Sequence, residues 1–497
     1  MSGYSDTEYT ALIASMVEAA RTNYAAFVSL VHRPNYKHSI FSYKVCKAID
    51  QFVDDVLAGK RPVLLLEAPP QHGKSSLVSR CLPPYLYGRL TGRLPAVRVA
   101  SASYAQTLAN SFARDVKSTM LEPIYREIFP QVSMIGFRGA VDRSDEFSIP
   151  LGGAYKAVGA GGPLTGFPVD VGIIDDPTKN AEEALSAVVQ DSREAWLDSV
   201  VLTRLQLRSG LIIMGTPWSA RDLMARARAK FENEAGRYTF LAFPALNEPE
   251  QIGYNPELPA GPLVPHLHDR TKLLELKRNM SEFWWSALYQ QQPMSEVGSI
   301  FSKEHVQYYR RAELPESFAR VIMSVDATFK DGNGTDYVFA GVWGKVIEEG
   351  AERVYLLDWR RERLSFTKTS EAIIALRNKW PRCSKIYIEE AANGAALIDM
   401  LSKHFPQIVG VPPLGSKEAR AHATSWVWDN KQVFLPHPEE SPGIVPVVAE
   451  ITSFPDTVTS HDDSVDGMTI ALHQLMLKNP IAAMITRDVL KQAQARR

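Results

Sequence analysis

The sequence predicts an α/β protein of more than one domain, and three observations carry that prediction. Its 497 residues exceed what one ordinary hydrophobic core accommodates. Short apolar runs at 63–66, 97–100, 171–174 and 211–214 each end in polar, Gly or Pro residues, with helical stretches between them. Such runs suit a mostly parallel sheet covered on both faces. A second set at 321–325, 337–343, 354–359 and 385–388 is spaced like hairpins and gives way to helices only later, which suits a mixed sheet.

Composition narrows the class. A hydrophobic content of 45% with 22% charged residues describes an ordinary globular chain. No apolar run is long enough to cross a bilayer, and the N-terminus lacks a basic segment followed by an apolar one, so the expectation is a protein neither exported nor embedded in a membrane. Cys46, Cys81 and Cys383 are scattered without metal-ligand spacing and read as reduced thiols. A net charge of −1 excludes a global field that draws the protein onto DNA. Nucleic-acid contacts must come from local patches or from partners.

Taken in order, residues 1–60 read as a helical N-terminal or lid region, with apolar positions at helical spacing around Leu12 and Ile49. Residues 61–246 form the first α/β core. The stretch 247–300 is rich in Pro, Gly and Asn (Pro249, Pro259, Gly261) and reads as a connector or lid subdomain. Residues 301–480 form the second domain, and 481–497 a polar, slightly basic tail. The glycine-rich segment 159–166 is either a loop near a ligand or a long turn.

The first apolar run leads into Ala68-Pro69-Pro70-Gln71-His72-Gly73-Lys74-Ser75-Ser76 and then a helical pattern. Gly, Lys and the hydroxyl stand where a phosphate loop needs them. Backbone N–H groups and the helix N-terminus would cradle phosphate, Lys74 would reach the outer phosphates, and Ser75 would hold Mg²⁺. Ala68 replaces the first glycine of the usual pattern. The run 171–174 ends at Asp175, where a carboxylate can meet Mg²⁺. Asp176 follows at the position of a general base, with Glu182 and Glu183 as alternatives. A third strand ends at Thr216, whose hydroxyl suits sensing of a γ-phosphate. These features together point to NTP hydrolysis.

The second domain carries acids at strand and helix ends: Asp326, Asp336, Glu389 with Glu390, and Asp462, Asp463 and Asp466 at the start of an apolar helical stretch. Asp466 shares a helix face with Asp462 or Asp463. Gathered like charges call for a cation, and a set of this kind suits two Mg²⁺ ions in phosphodiester cleavage. Each acid alone could be a cap or a turn. The order of hairpin, acidic strand and later acidic helix suits an RNase H-like nuclease.

Together these residues resemble the large terminase subunit of tailed double-stranded DNA bacteriophages, a packaging ATPase and nuclease. The resemblance rests on Pro69 to Ser75, Leu164-Thr165-Gly166, Ile173 to Pro177, Thr216-Pro217-Trp218 and Tyr289 to Pro293. It continues through Val325-Asp326, Ile388 to Gly394, Gly415-Ser416-Lys417 with Arg420, and His461 to Asp466. It implies an ASCE-type P-loop (Walker A) ATPase domain followed by an RNase H-like nuclease domain. ATP would be bound by Gln71, His72, Gly73, Lys74, Ser75, Ser76 and Asp175, with Ser75 and Asp175 on Mg²⁺. The nuclease metals, Mg²⁺ or Mn²⁺, would fall to Asp326, Glu389 and Asp463, with Asp462 and Asp466 as second choices.

Gln71 stands where the family often has Arg, so hydrolysis would lean on an arginine finger from a neighbouring subunit, with Arg143, Arg138 and Arg204 as candidates. Lys417 and Arg420 are candidate contacts to DNA phosphates. The resemblance further implies double-stranded DNA, a portal protein and a small terminase subunit as partners, in a homo-oligomeric ring, usually pentameric. It places the protein in the host cytoplasm, transiently at the procapsid portal vertex and absent from the mature virion. The competing readings are a helicase- or transposase-like nucleic-acid ATPase and a DNA-binding clamp with decayed sites.

Overall fold

A computed structural model describes residues 6–32, 36–234, 236–294, 299–327, 337–348, 350–390, 394–413, 415–455 and 462–476. They fall into two compact units, one within Met1–Leu274 and Phe283–Ser295, the other within Glu275–Glu282 and Glu296–Arg497. Residues of the expected connector 247–300 are thus shared between the two. Among the described residues no helix is long and apolar enough to cross a membrane.

The first unit opens with helices Asp6–Ala20, Tyr24–Val31 and Ile40–Leu57. Asn23 caps the second by accepting from Ala26 N, and Ser39 and Ser42 form a capping box on the third. The core sheet holds β1 (Val63–Glu67), β2 (Arg98–Ser103), β3 (Glu146–Ile149), β4 (Gly153–Gly159), β5 (Val169–Asp175), β6 (Leu205–Gly215) and β7 (Tyr238–Ala242) in the order β3-β4-β2-β5-β6-β1-β7. Every pairing is parallel except β3 with β4. β6 lies between β1 and β5, the additional strand of an ASCE-type sheet. β8 (Leu246–Asn247) and β9 (Gly261–Pro262) form a separate antiparallel ribbon.

Alternation explains the unbroken apolar runs. Leu64 and Leu66 join one buried cluster, and Val63 and Leu65 join the cluster on the opposite face. In register, Asp175 sits opposite Met214, and Glu67 opposite Gly215. The carboxyl ends of β5, β6 and β1 therefore lie side by side, and the segments that follow them meet at one edge, where open α/β sheets bind ligands.

The second unit holds β10 (Gln307–Tyr309), β11 (Arg320–Asp326), β12 (Val338–Glu348), β13 (Ala351–Glu362), β14 (Lys385–Glu389), β15 (Ile408–Val411) and β16 (Val433–Pro436). Their order is β10-β16-β13-β12-β11-β14-β15. β11, β12 and β13 pair antiparallel, while β14 is parallel to β11 and β15 is parallel to β14. This is the mixed sheet expected of an RNase H-like domain. Ile322 and Val325 again face opposite clusters.

The strands not anticipated were β3, β4, β7, β8, β9, β10, β15 and β16. They are short edge or near-edge strands, weakly apolar or interrupted by Gly or Pro, so neither periodicity nor length announces them. The glycine-rich segment closes β4 as a turn. There the Trp196 indole donates to Gly162 O at 2.8 Å, and Arg193 donates to Ala160 O.

Candidate functional sites

In the first unit the phosphate loop turns from β1 into a helix through two residues of positive φ, Gln71 (59°) and Gly73 (91°). Glycine suits the second because it has no Cβ to clash there. Lys74 is buried, and its Nζ donates to Thr216 Oγ1 at 2.8 Å and pairs with Asp176 Oδ2 at 3.0 Å. Thr216 also donates its hydroxyl to Ala68 O at 3.0 Å and its N–H to Asp176 Oδ1 at 2.9 Å. Through its hydroxyl and its backbone N–H, this one residue joins the loop, its lysine and the acid beyond β5.

Asp175 is buried and held by hydroxyls. Ser75 Oγ donates to its Oδ1 at 3.2 Å and Ser79 Oγ to its Oδ2 at 2.6 Å. Burial, followed by the neighbouring Asp176 charge, raises its pKa well above the ordinary carboxylate range. The Ser75 and Asp175 pair, 100 positions apart in sequence, is the arrangement a Mg²⁺ ion of a P-loop site requires.

A cavity of about 440 Å³ opens beside these groups, a size that suits a small-molecule site. Gln71, Gly73, Lys74, Ser75, Ser76 and Thr216 line it, as does Asp176. Two expected nucleotide residues do not: Asp175 lies beneath the loop on the serine hydroxyls, and His72 turns away. The His72 ring stacks on His268 with centroids 4.5 Å apart, and its Nδ1 lies 2.8 Å from Pro70 O. Burial, with smaller contributions from His268 and Lys74, lowers its pKa to about 3. The stacking on His268, invisible to the motif, claims this side chain.

Glu183 also lies off the cavity, accepting from Lys179 N at 3.1 Å and facing Arg193 at 3.6 Å. Asp176, not Glu183, is the acid beside Lys74. Sequence reading missed Arg80, Tyr104, Thr178 and Lys179, which also line the cavity. The last two directly follow the Asp175-Asp176-Pro177 turn, and that adjacency was the available signal. Among the arginine-finger candidates, Arg143 is exposed and paired with Glu146 at 2.6 Å, Arg138 is exposed, and Arg204 closes a short 3₁₀ turn.

In the second unit, parallel pairing of Val325 with Ile388 sets Asp326 and Glu389 side by side at the ends of β11 and β14. Helix Asp463–Met476 packs across β11 and β12. At Gly467 a side chain would overlap the Phe339 ring, so the glycine lets the helix approach closely and bring Asp466 to the strand ends. Ligand oxygens of Asp326, Glu389 and Asp466, all three buried, lie within 4.8 Å of one another. Asp466, a second choice in the sequence, completes this group in place of Asp463.

Asp463 is buried beside Glu450 and Asp462, and burial and those charges raise its pKa to about 7. Glu450 is a residue sequence reading missed. It accepts from Ser464 N at 2.6 Å and Ser464 Oγ at 2.9 Å, and Arg361 pairs with it at 2.7 Å. It thereby fixes the first turn of the helix that carries Asp466. No local pattern links 450 to 464, so it could be found only in three dimensions. Asp336, His461 and residues 391–393 of the sequence reading lie outside the described residues.

Lys417 and Arg420, the candidate contacts to DNA phosphates, lie on the carboxylates. Both project from helix Lys417–Asp429. Lys417 Nζ is 2.6 Å from Asp462 Oδ1 and 2.7 Å from Asp466 Oδ2. Arg420 Nη2 is 2.7 Å from Asp466 Oδ1 and 3.3 Å from Glu389 Oε1. Burial works to lower the pKa of both cations, but Asp466 and its neighbouring acids outweigh it and raise them. Glu389 shifts upward chiefly through burial. The charge partner wins for the bases and desolvation wins for the acid.

Fold and sites define a class: a P-loop NTPase domain followed by an RNase H-like domain with a buried carboxylate triad. Residues 323–475 match the family model of the terminase RNaseH-like domain. No curated protein matches the chain in sequence.

Among solved structures, the large terminase of the thermophilic bacteriophage D6E in complex with ATP-gamma-S is 11% identical, with 89% of this chain and 100% of that chain covered and a TM-score of 0.47. The HK97 bacteriophage large terminase is 12% identical, with 93% and 99% covered and a TM-score of 0.38. The g2p (large terminase) nuclease domain of bacteriophage SPP1 with bound Mn is 18% identical, with 36% and 100% covered and a TM-score of 0.27. These likenesses are distant.

Proposed function

We propose that the chain is the large subunit of a viral DNA-packaging terminase. ATP hydrolysis in the first unit drives double-stranded DNA into a procapsid, and a metal-dependent endonuclease in the second cuts the concatemer. The observation that carries this reading is the convergence of Asp326, Glu389 and Asp466 within residues that match the terminase RNaseH-like domain. The same chain holds Lys74, Ser75 and Asp175 in P-loop geometry.

In this reading a nucleotide phosphate draws Lys74 from Asp176, which leaves the Asp176 carboxylate to orient and deprotonate the attacking water. Thr216, bonded to both Lys74 and the Ala68 carbonyl, registers that exchange. Ser75 and Asp175 would hold Mg²⁺, which would supply positive charge against the developing phosphate charge. In the second site, the donor set of three buried carboxylates fits a hard divalent cation, which would polarise the scissile phosphate. The chain works as a homo-oligomeric ring, a pentamer, on the portal protein. A small terminase subunit supplies the viral DNA, and the complex sits at the procapsid vertex in the host cytoplasm.

The test is nicking and linearisation of supercoiled plasmid with Mg²⁺ or Mn²⁺, run beside the Asp326→Ala chain. Metal-dependent cutting that disappears in the variant is expected. Cutting that survives it, or none by the intact chain with either metal, overturns the nuclease half of the proposal.

A further inference from the structure

Among the described residues, Lys74, Arg80 and Lys179 bring positive charge to the cavity beside the phosphate loop, and they are not equally committed. Lys74 rests on Asp176 and Thr216. Arg80 pairs with Asp115 at 3.3 Å and lies over the Phe112 ring. Lys179 is half-buried, yet among the described residues no carboxylate lies within ion-pair distance of its ammonium.

Its backbone, by contrast, is held. Beyond β5 the chain turns sharply at Asp176, whose φ of 44° is a left-handed conformation uncommon outside glycine. Hydrogen bonds clamp that turn on both sides: Asp176 N donates to Met214 O at 2.9 Å, and Tyr104 N donates to Asp176 O at 3.2 Å. Three residues on, Lys179 N donates to Glu183 Oε2 at 3.1 Å, and Glu183 N donates to Asn180 Oδ1 at 3.0 Å. Arg193 faces the same Glu183 carboxylate at 3.6 Å. Glu183 lies off the cavity and fixes the residue that lines it. An uncommitted ammonium on a fixed backbone meets an arriving anion with no contact to break and little left to order.

Resting on the ATPase reading above, we propose that Lys179 is a catalytic residue of ATP hydrolysis, its ammonium binding the γ-phosphate oxygens. Glu183 is its positioning residue. In the hydrolytic step the water oxygen bonds to the γ-phosphorus, and the bond from that phosphorus to the β–γ bridging oxygen breaks. Its electron pair leaves on ADP. The water's proton passes to Asp176, and Lys179 neither gives nor takes one. Its contribution is positive charge where the equatorial oxygens gather negative charge, supplied from the turn beyond β5 while Lys74 supplies it from the loop. Lysine suits this because its ammonium is a compact charge on a flexible stem.

Calorimetric titration of the full chain with Mg²⁺ and ADP, with and without aluminium fluoride as a mimic of the phosphoryl group in transit, tests this. Aluminium fluoride should tighten ADP binding by the unaltered chain. In Lys179→Gln, ADP alone should bind as before, while the tightening and the ATP turnover number should each fall by about 10²-fold. Lys179→Arg should recover most of both. Equal weakening with and without aluminium fluoride, unchanged binding of both kinds, or no tightening in the unaltered chain overturns the role of Lys179 and leaves the ATPase reading intact. An unaltered chain that binds neither ADP nor ATP overturns both. Should Lys179→Gln not fold, Glu183→Gln decides by the same comparison. Lost tightening with unchanged ADP binding is expected there, and unchanged tightening overturns the proposal.

Discussion

In the first unit the buried acid at the site, Asp175, is satisfied by two neutral hydroxyls, whereas in the second the buried Asp466 is satisfied by two cations. In the first site Lys74 rests on Asp176 and Thr216, a loose hold that an anion can break. Lys417 and Arg420 have no such slack, because each bridges two acids. The first arrangement readies a cation for an arriving phosphate. The second readies a carboxylate cluster for an arriving metal ion while keeping it stable without one. Both rest on the same device, adjacent strand ends in parallel register, so sign and partner make the difference rather than architecture.

The largest expected effect breaks the two sites apart. Lys74→Ala should lower the ATP turnover number by about 10²–10³-fold, the usual cost of losing a preorganised charge at a developing anion, and leave plasmid cutting unchanged. Equal loss of both activities would contradict the separation. Next comes membership of the triad: Asp466→Asn should reduce metal-dependent cutting to background, while Asp463→Asn should keep most of it. The plasmid assay run on both variants reads this directly.

A third prediction concerns His72, whose folded pKa of about 3 lies below its ordinary value of 6.5. Below pH 6.5 the unfolded chain binds a proton that the folded chain refuses, so stability falls as pH drops from about 6.5 towards 3 and is flat above. Replacement by Phe should remove on the order of 2 kcal/mol of that loss between pH 7 and pH 4.5. Urea midpoints of the first unit at the two pH values, compared between the variant and the unaltered chain, measure it.

The smallest effect is reserved for Arg143, whose ion pairs with Glu146 and Asp145 are exposed. Arg143→Ala should change stability by less than about 1 kcal/mol. A fall in ATP turnover by this variant would then report a role in trans rather than a folding defect. Unchanged turnover removes it from the arginine-finger candidates.

Much of the first site was legible in the sequence because its chemistry is local. Gly73, Lys74 and Ser75 are consecutive, and Asp175 and Thr216 each terminate an apolar run. His72 shows where such reading stops, since adjacency in a motif does not determine which way a ring turns, and the stacking on His268 decided it. The second site was legible as a set of acids and not as a selection among them. Asp463 and Asp466 are three positions apart on one helix and nearly equivalent by pattern. Glu450 at the first turn and Gly467 against Phe339 set the helix so that Asp466 points at the strand ends.

The sequence by itself determined two α/β domains, a phosphate loop with its acidic partner strand, and acids at the ends of β11 and β14, because strand periodicity and turn chemistry act over a few residues. Only the tertiary structure decided which helix acid completes the triad and that Lys417 and Arg420 pair with its carboxylates. Those choices depend on packing between segments far apart in the chain, where a single glycine or one buried glutamate sets the distance at which charges meet.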